Sequence, residues 1–341
     1  LKSTIKDVAN LAGVSFKTVS RVINKESSVK PETVEKVNKA IEQLRYQPNT
    51  SARNLAGTSA YALAYVYDNP NAYYVISMQN GILNECRERG YELIIHPCNS
   101  SDANVLEEII AMIKKSQLAG IVLSPPLSEM QSVLDGLDEL NVNYVRIISG
   151  SKAGDEKKPC VFVNDRAAAQ NITRHLIQQG HRRIGFICGD KGHKSTDERL
   201  LGYKNALAEE GLEFDNALVV DGTYSFEAGV NGFKTLSALD NKPTAIFGCN
   251  DEIASGALFA ARLNEVDVPR ELAIAGFENS PFSRQTWPKL TTAAQPNDMI
   301  AKTAASTLID FIKKKKSEPS AAINHQIFEP ELVVRESTQH S

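Results

Sequence analysis

Apolar residues recur along this chain with two different periods, one for its first 46 residues and another from Tyr61 onward. The first stretch has helical spacing and predicts three short helices. Thr4-Ile5-Lys6-Asp7 has the form of a capping motif, an acidic residue three places after a threonine, and opens a helix through Leu11. Ala12-Gly13-Val14 reads as a tight turn, where Gly13 gives access to positive φ. Ser15 then caps a second helix, Phe16 to Ile23. A third begins near Pro31, a residue favoured in a first turn, and runs to Leu44, with Val34, Val37, Ile41 and Leu44 facing the other two.

Pro48 blocks continuation of that helix, and a small helical segment, Thr50 to Leu55, is closed by Ala56-Gly57. From Tyr61 short apolar runs alternate with amphipathic stretches, the pattern of a parallel sheet with covering helices. Strands are expected at Ala62–Tyr67, 93–96, Gly120–Leu123 and 144–148. A second set is expected at 161–163, 184–188, 217–220, 245–249 and 272–275. Glycine follows several intervening helices, as in Arg89-Gly90 and Gln179-Gly180. The fold class predicted is α plus α/β: a helix-turn-helix head (1–46), a hinge helix and linker (47–58), and a two-lobed α/β body (59–341). Lobe one is expected at about 59–161 and 293–322, and lobe two at about 162–292 and 323–341, with a cleft at the strands' carboxyl ends.

Charge sharpens this division. The chain's formal net charge is −3, yet residues 1–57 hold ten Lys and Arg against five Asp and Glu. A basic head on an acidic body is the layout of a nucleic-acid-binding module joined to something else. No apolar run approaches the roughly 20 residues needed to span a bilayer. The first residues do not read as a signal peptide, so a cytoplasmic protein is expected. Five scattered cysteines without C-x-x-C spacing argue against a disulfide framework or a zinc site, and neither metal nor cofactor is expected.

Two helices joined by Ala12-Gly13-Val14, with Val8, Ala9, Val19 and Val22 on the shared face, fit a helix-turn-helix, whose second helix enters the major groove. The body lacks G-x-S-x-G, H-E-x-x-H and a G-x-G-x-x-G after a strand, so no enzyme is expected. Gly189 to Ser195 hints at a phosphate loop, but His193 follows Gly192 where a lysine would be needed.

Residue by residue, Thr4-Ile5-Lys6-Asp7-Val8-Ala9, Ala12-Gly13-Val14-Ser15, Thr18-Val19-Ser20-Arg21-Val22 and Ala52-Arg53-Asn54-Leu55-Ala56-Gly57 resemble the head and hinge of the lactose-repressor/galactose-repressor (LacI/GalR) family. The resemblance implies a DNA interface of Thr4, Ser15, Phe16, Lys17, Thr18, Ser20, Arg21, Asn24, Thr33, Tyr46, Ala52, Arg53 and Leu55. Within it, Lys17 and Arg21 would donate to guanine O6 and N7. Phe16 would either lie on sugar or a thymine methyl, or simply pack. Ser20, Asn24, Thr33 and Tyr46 suit phosphate contacts, which position without specifying. Leu55 would wedge into the central minor-groove step, with small Ala52 beside it.

The body resembles the same family's effector domain, itself similar to periplasmic sugar-binding proteins. Asn69-Pro70-Asn71-Ala72-Tyr73-Tyr74, Gly180-His181-Arg182-Arg183-Ile184-Gly185, Glu198-Arg199-Leu200-Leu201-Gly202-Tyr203, Asn250-Asp251 and Gly276-Phe277 carry the likeness. It implies an effector site of Tyr73, Arg199, Tyr224, Asn250 and Glu278. Bland roles stay open: Arg199 paired with Glu198 or Asp197, the tyrosines in the core, Asn250 capping a helix. The family usually has Asp where this chain has Glu278, so pocket depth or ligand size would differ. The implied partners are a pseudo-palindromic double-stranded operator, a sugar or sugar phosphate as effector, and a second copy in a homodimer, since no leucine heptad is found near Arg335–Ser341. Other readings are a stand-alone sugar receptor and a regulator responding to a purine-like ligand.

Overall fold

The computed structural model describes residues 3–23, 29–46, 61–150, 158–317 and 323–339. The expected hinge, 47–58, lies outside the described residues, and so do Asn24, Ala52, Arg53 and Leu55. The chain divides into two compact units, Leu1–Tyr61 with Arg87–Glu92, and Ala62–Cys86 with Leu93–Ser341.

The first unit is built on α1 (Ile5–Ala12), α2 (Phe16–Ile23) and α3 (Pro31–Gln43). Its helix ends are set locally. Thr4 Oγ1 accepts from the Asp7 N–H at 3.4 Å while the Asp7 carboxylate accepts from the Thr4 N–H at 2.7 Å, a complete capping box. Gly13 ends α1 in the left-handed region at φ 66°. Ser15 Oγ accepts from the Thr18 N–H at 3.2 Å and starts α2. Val8, Ala9, Val19, Val22, Val37 and Ala40 form the buried centre, with Val34, Ile41, Leu44 and Tyr46 packed around it.

The body begins with β1 (Ala62–Tyr67), α4 (Ala72–Arg89), β2 (Glu92–Pro97), α5 (Val105–Ser116), β3 (Gly120–Leu123), α6 (Gln131–Glu139), β4 (Tyr144–Ser149) and β5 (Cys160–Val163). It continues with α7 (Asp165–Gln178), β6 (Ile184–Ile187), α8 (Lys194–Glu209), β7 (Val219–Val220), α9 (Phe226–Ser237), β8 (Ala245–Gly248), α10 (Asp251–Leu263) and β9 (Ala273–Ala275). The last elements are α11 (Pro281–Gln285), β10 (Thr292–Ala294), α12 (Asn297–Ser317), β11 (Gln326–Phe328) and β12 (Glu331–Val333).

Two sheets divide these strands into lobes. Lobe one has the order β11-β5-β4-β3-β1-β2 and lobe two the order β7-β6-β8-β9. The pairings β1–β3, β3–β4, β4–β5 and β6–β8 are all parallel. Every residue of β3, β5, β6 and β8 is buried, because helices cover both faces of such a sheet.

The lobe boundaries differ from the sequence expectation. Residues 162–163 and 326–328 belong to lobe one, since β5 pairs with β4 from Arg146↔Cys160 to Ser149↔Val163 and β11 pairs with β5 from Gln326↔Val161 to Phe328↔Val163. A short apolar strand carries no mark of its sheet, and the ladder partner decides it. β12 pairs antiparallel with β10, and its Leu332 packs on the lobe-two core. The chain therefore passes between lobes three times, near Asn164, near Gln295 and between Phe328 and Glu331. β10, β11 and β12, three residues each, have no counterpart in the sequence reading, and β7 is reduced to Val219–Val220 because 216–218 form a 3-10 turn.

Candidate functional site

On α2 the apolar side of the helix, Val19 and Val22, is spent on the head's core. Phe16, Lys17 and Arg21 are exposed, and Ser20 is half-buried. Positions 16, 17, 20 and 21 fall on one side of a helix of 3.6 residues per turn, so the residues expected to meet bases share a face. Phe16 is 53% exposed, which excludes simple packing inside the head. Thr4 and Ser15 use their hydroxyls as caps, and Ser15 Oγ lies 2.9 Å from Thr18 Oγ1. Thr33 is half-buried, near the start of α3. Tyr46, expected at a phosphate, packs its ring against the head's core.

The body's polar centre is a chain of buried side chains around a small cavity of about 50 Å³. Arg199, on α8 and 4% exposed, donates from Nε to Asp165 Oδ1 at 2.9 Å and from a terminal nitrogen to the Cys249 carbonyl at 2.8 Å. Its guanidinium stacks 3.8 Å from the Phe277 ring centroid. Neither sequence alternative for Arg199 holds, because Glu198 pairs instead with Arg166 at 2.9 Å. Asp165, the first residue of α7, accepts from Ser149 Oγ at 2.5 Å, so a lobe-one strand end and a lobe-two helix are joined through it. Burial works against the charge on Arg199, but Asp165 beside it more than offsets this and holds the guanidinium above its usual range.

Glu278 approaches Arg199 at 3.8 Å with one oxygen and accepts from Asn71 Nδ2 at 3.1 Å with the other. Its φ is 100°, a region that side-chain-bearing residues rarely adopt, and the next residue, Asn279, has φ 55°. Burial pushes the Glu278 carboxyl up to about 8; Arg199 pulls the other way, and Asp251 adds to the rise. Asp251 is itself pushed up to about 7 by burial, against hydrogen bonds from Thr292 Oγ1 and the Ser280 N–H, both at 2.6 Å.

Asn250 caps α10 through Oδ1, which accepts from the Ile253 N–H at 2.9 Å. Asn250 lines the same cavity, and its Nδ2 is buried without a hydrogen-bond partner among the described residues. Capping thus uses one end of the amide and leaves the donor end for something else. Tyr224 stands at the cavity with its hydroxyl 3.1 Å from Ser195 Oγ and 3.0 Å from Thr196 Oγ1, and its ring edge-on to His193.

Tyr73 is a correction. It is 42% exposed and packs edge-to-face on Phe282, away from the cavity, whereas its neighbour Tyr74 is buried and lines it. Asn71 Oδ1 accepts from the N–H groups of both tyrosines and so fixes the phase of α4, which turns about 100° between them. The sequence reading also missed Asp165, Ser149 and His193 as members. An acid in a helix's first turn and a serine at a strand end are ordinary, so only long-range contacts mark them. A larger hollow of about 830 Å³ beside α12 is lined by charges that pair with one another, Lys158 with Asp138 at 3.2 Å and Lys302 with the buried Glu85 at 3.8 Å.

Against known proteins, residues 4–49 match the family of bacterial regulatory proteins, lacI family, and residues 173–338 match the periplasmic binding protein-like domain. The ribose operon repressor of Haemophilus influenzae is 31% identical, covering 98% of each chain. The HTH-type transcriptional repressor PurR of Vibrio campbellii is 30% identical over 99% of each. Among solved structures, the transcriptional regulator CelR–cellobiose complex has 27% identity and a TM-score of 0.72, over 98% of this chain and 100% of that one. The lac repressor dimer bound to operator and the anti-inducer ONPF shares the fold, with a TM-score of 0.75 and 23% identity over 100% of both.

Proposed function

The chain belongs to the lacI family of bacterial regulatory proteins, and on that premise we propose that it is an operator-binding transcriptional repressor controlled by a small carbohydrate bound in the body's cleft. It binds DNA as a homodimer, presenting α2 of each head to one half of a pseudo-palindromic operator. Lys17 and Arg21 read guanine edges, Ser20 and Thr33 hold phosphates, and Leu55 supplies the minor-groove wedge. Its work is binding rather than catalysis, in the compartment that holds the chromosome.

The observation that carries the effector site is the buried, unpartnered Nδ2 of Asn250 beside Arg199 and Glu278. A buried donor without an acceptor is costly, and a ligand hydroxyl would satisfy it. Arg199 offers its planar fork and Tyr224 an apolar face to the same ligand. A cavity of about 50 Å³ has room for a few waters only, so a sugar enters by separation of the lobes. That movement is the two-state element through which effector and operator would be coupled. The relatives named for ribose and cellobiose support a carbohydrate.

The test is a gel-shift titration of the protein on DNA flanking its own gene, repeated with a panel of sugars, sugar phosphates and purines. A discrete complex whose affinity changes with one sugar supports the reading. Failure to retard any flanking fragment refutes the DNA role, and a response to a purine alone refutes the carbohydrate.

A further inference from the structure

A second constellation lies on lobe one. His96, Cys98 and Glu108 bring one imidazole nitrogen, one thiol sulfur and one carboxylate oxygen within 4.8 Å of one another. Residues two apart in extended chain share a face, so His96 at the end of β2 and Cys98 just after it both turn toward α5. The Cys98 N–H donates to the Tyr67 carbonyl at 2.8 Å, which keeps this stretch aligned beside β1. Beneath, Val105 and Ile109 of α5 pack with Ile94 and the Cys98 side chain in the lobe-one core. Glu108, one turn into α5, closes the triangle.

The contact between His96 and Glu108 is the telling detail. Nε2 lies 3.1 Å from Glu108 Oε1, an ion-pair distance when the imidazole is protonated, yet it is buried and makes no aligned hydrogen bond. The two atoms converge without the alignment of donor and acceptor, as two ligands do when they point at a common third atom. The Glu108 and Asp68 carboxylates both lie near Cys98, a negative local field that favours a cation. Asp68 is held in place by the Ser100 N–H at 2.8 Å and Ser100 Oγ at 2.6 Å.

We propose that His96 Nε2, Cys98 Sγ and a Glu108 oxygen form a site for a borderline-soft divalent transition metal, Zn²⁺ above all. Nitrogen, thiolate and carboxylate are the donors that zinc takes, and three protein ligands leave a fourth position to solvent on the side where Glu108 is exposed. Ligand atoms about 2.0–2.3 Å from a metal stand closer together than the widest spacing here, so side-chain rotation draws them in. Binding transfers the thiol proton to solvent, since the thiolate is the ligand. The ion would tie the end of an edge strand to the helix that covers it.

The experiment adds CoCl₂ to the full-length protein, kept reduced with a phosphine, and follows the thiolate-to-cobalt charge-transfer absorption, with ZnCl₂ then used to displace it. One cobalt per chain with that absorption is expected. Cys98→Ser should abolish the absorption, and His96→Ala should weaken binding more than about 10-fold. Circular dichroism of each variant checks that it is folded. No absorption in the wild type, or an absorption that survives in folded Cys98→Ser, overturns the site.

Discussion

Asn71 donates to Glu278 at 3.1 Å across the cleft, and the two residues stand 207 positions apart in the chain. Through this hydrogen bond a loop of lobe one holds the carboxyl that faces Arg199 in lobe two. The contact joins the two lobes beside the cavity that Arg199 lines.

The state of Glu278 makes the body sensitive to pH. Its carboxyl lies at about 8 in the folded protein against 4.5 for an ordinary glutamate. A raised carboxyl binds its proton more tightly when folded, so its contribution is full below about 4.5 and is lost as pH rises through about 8. Melting temperature should therefore fall from about pH 5 to about pH 9, and fall less in Glu278→Gln, which cannot ionise. Asp251 and Glu129, both raised to about 7 by burial with the same sign, contribute a residual slope. Identical slopes in wild type and variant would refute the assignment.

Arg199 serves the closed fold as well as the proposed ligand. Arg199→Ala leaves Asp165 buried without its cation and should destabilise the body by about 3–5 kcal/mol. Arg199→Lys keeps the charge but not the fork on Asp165 and the Cys249 carbonyl. We expect Arg199→Lys to bind operator as the wild type does and to lose its effector response. An effector titration unchanged in Arg199→Lys would remove Arg199 from the ligand site.

Lys17 is exposed on the face of α2 that carries Phe16 and Arg21. Lys17→Ala should cost about 1–3 kcal/mol of operator binding and relax preference at one base of each half-site. Competition against non-specific DNA checks this. Equal weakening on both DNAs would make Lys17 a phosphate contact.

Gly202 sets how closely α8 crosses α7. A Cβ there would run into the Arg166 carbonyl and stand 2.9 Å from the Ala169 Cβ, so the helices must part. Gly202→Ala should cost about 1–3 kcal/mol or more in urea unfolding. Gly192→Ala, whose Cβ would meet nothing within 4 Å, should stay within about 0.5 kcal/mol of the wild type. Equal losses in the two would show that the crossing is not set by this glycine.

The sequence by itself determined the head. Its helix limits depend on contacts within four residues, the Thr4–Asp7 box, the left-handed Gly13, the Ser15 cap and Pro31 at the start of α3, and such signals are written beside the structure they specify. It also marked Arg199, Tyr224, Asn250 and Glu278 as cleft residues, and the structure brings all four to one cavity. Only the tertiary structure decided that Tyr74 lines that cavity and Tyr73 does not, that Asp165 and Ser149 complete the polar chain, and that β5 and β11 finish lobe one. Those outcomes rest on pairings between distant segments: Asn71 with Glu278, Asp165 with Arg199, Phe328 with Val163. An apolar strand of four residues fits either sheet, and a carboxylate at a helix start fits any helix. The partner that selects among these equal local choices is reached only when the chain closes on itself.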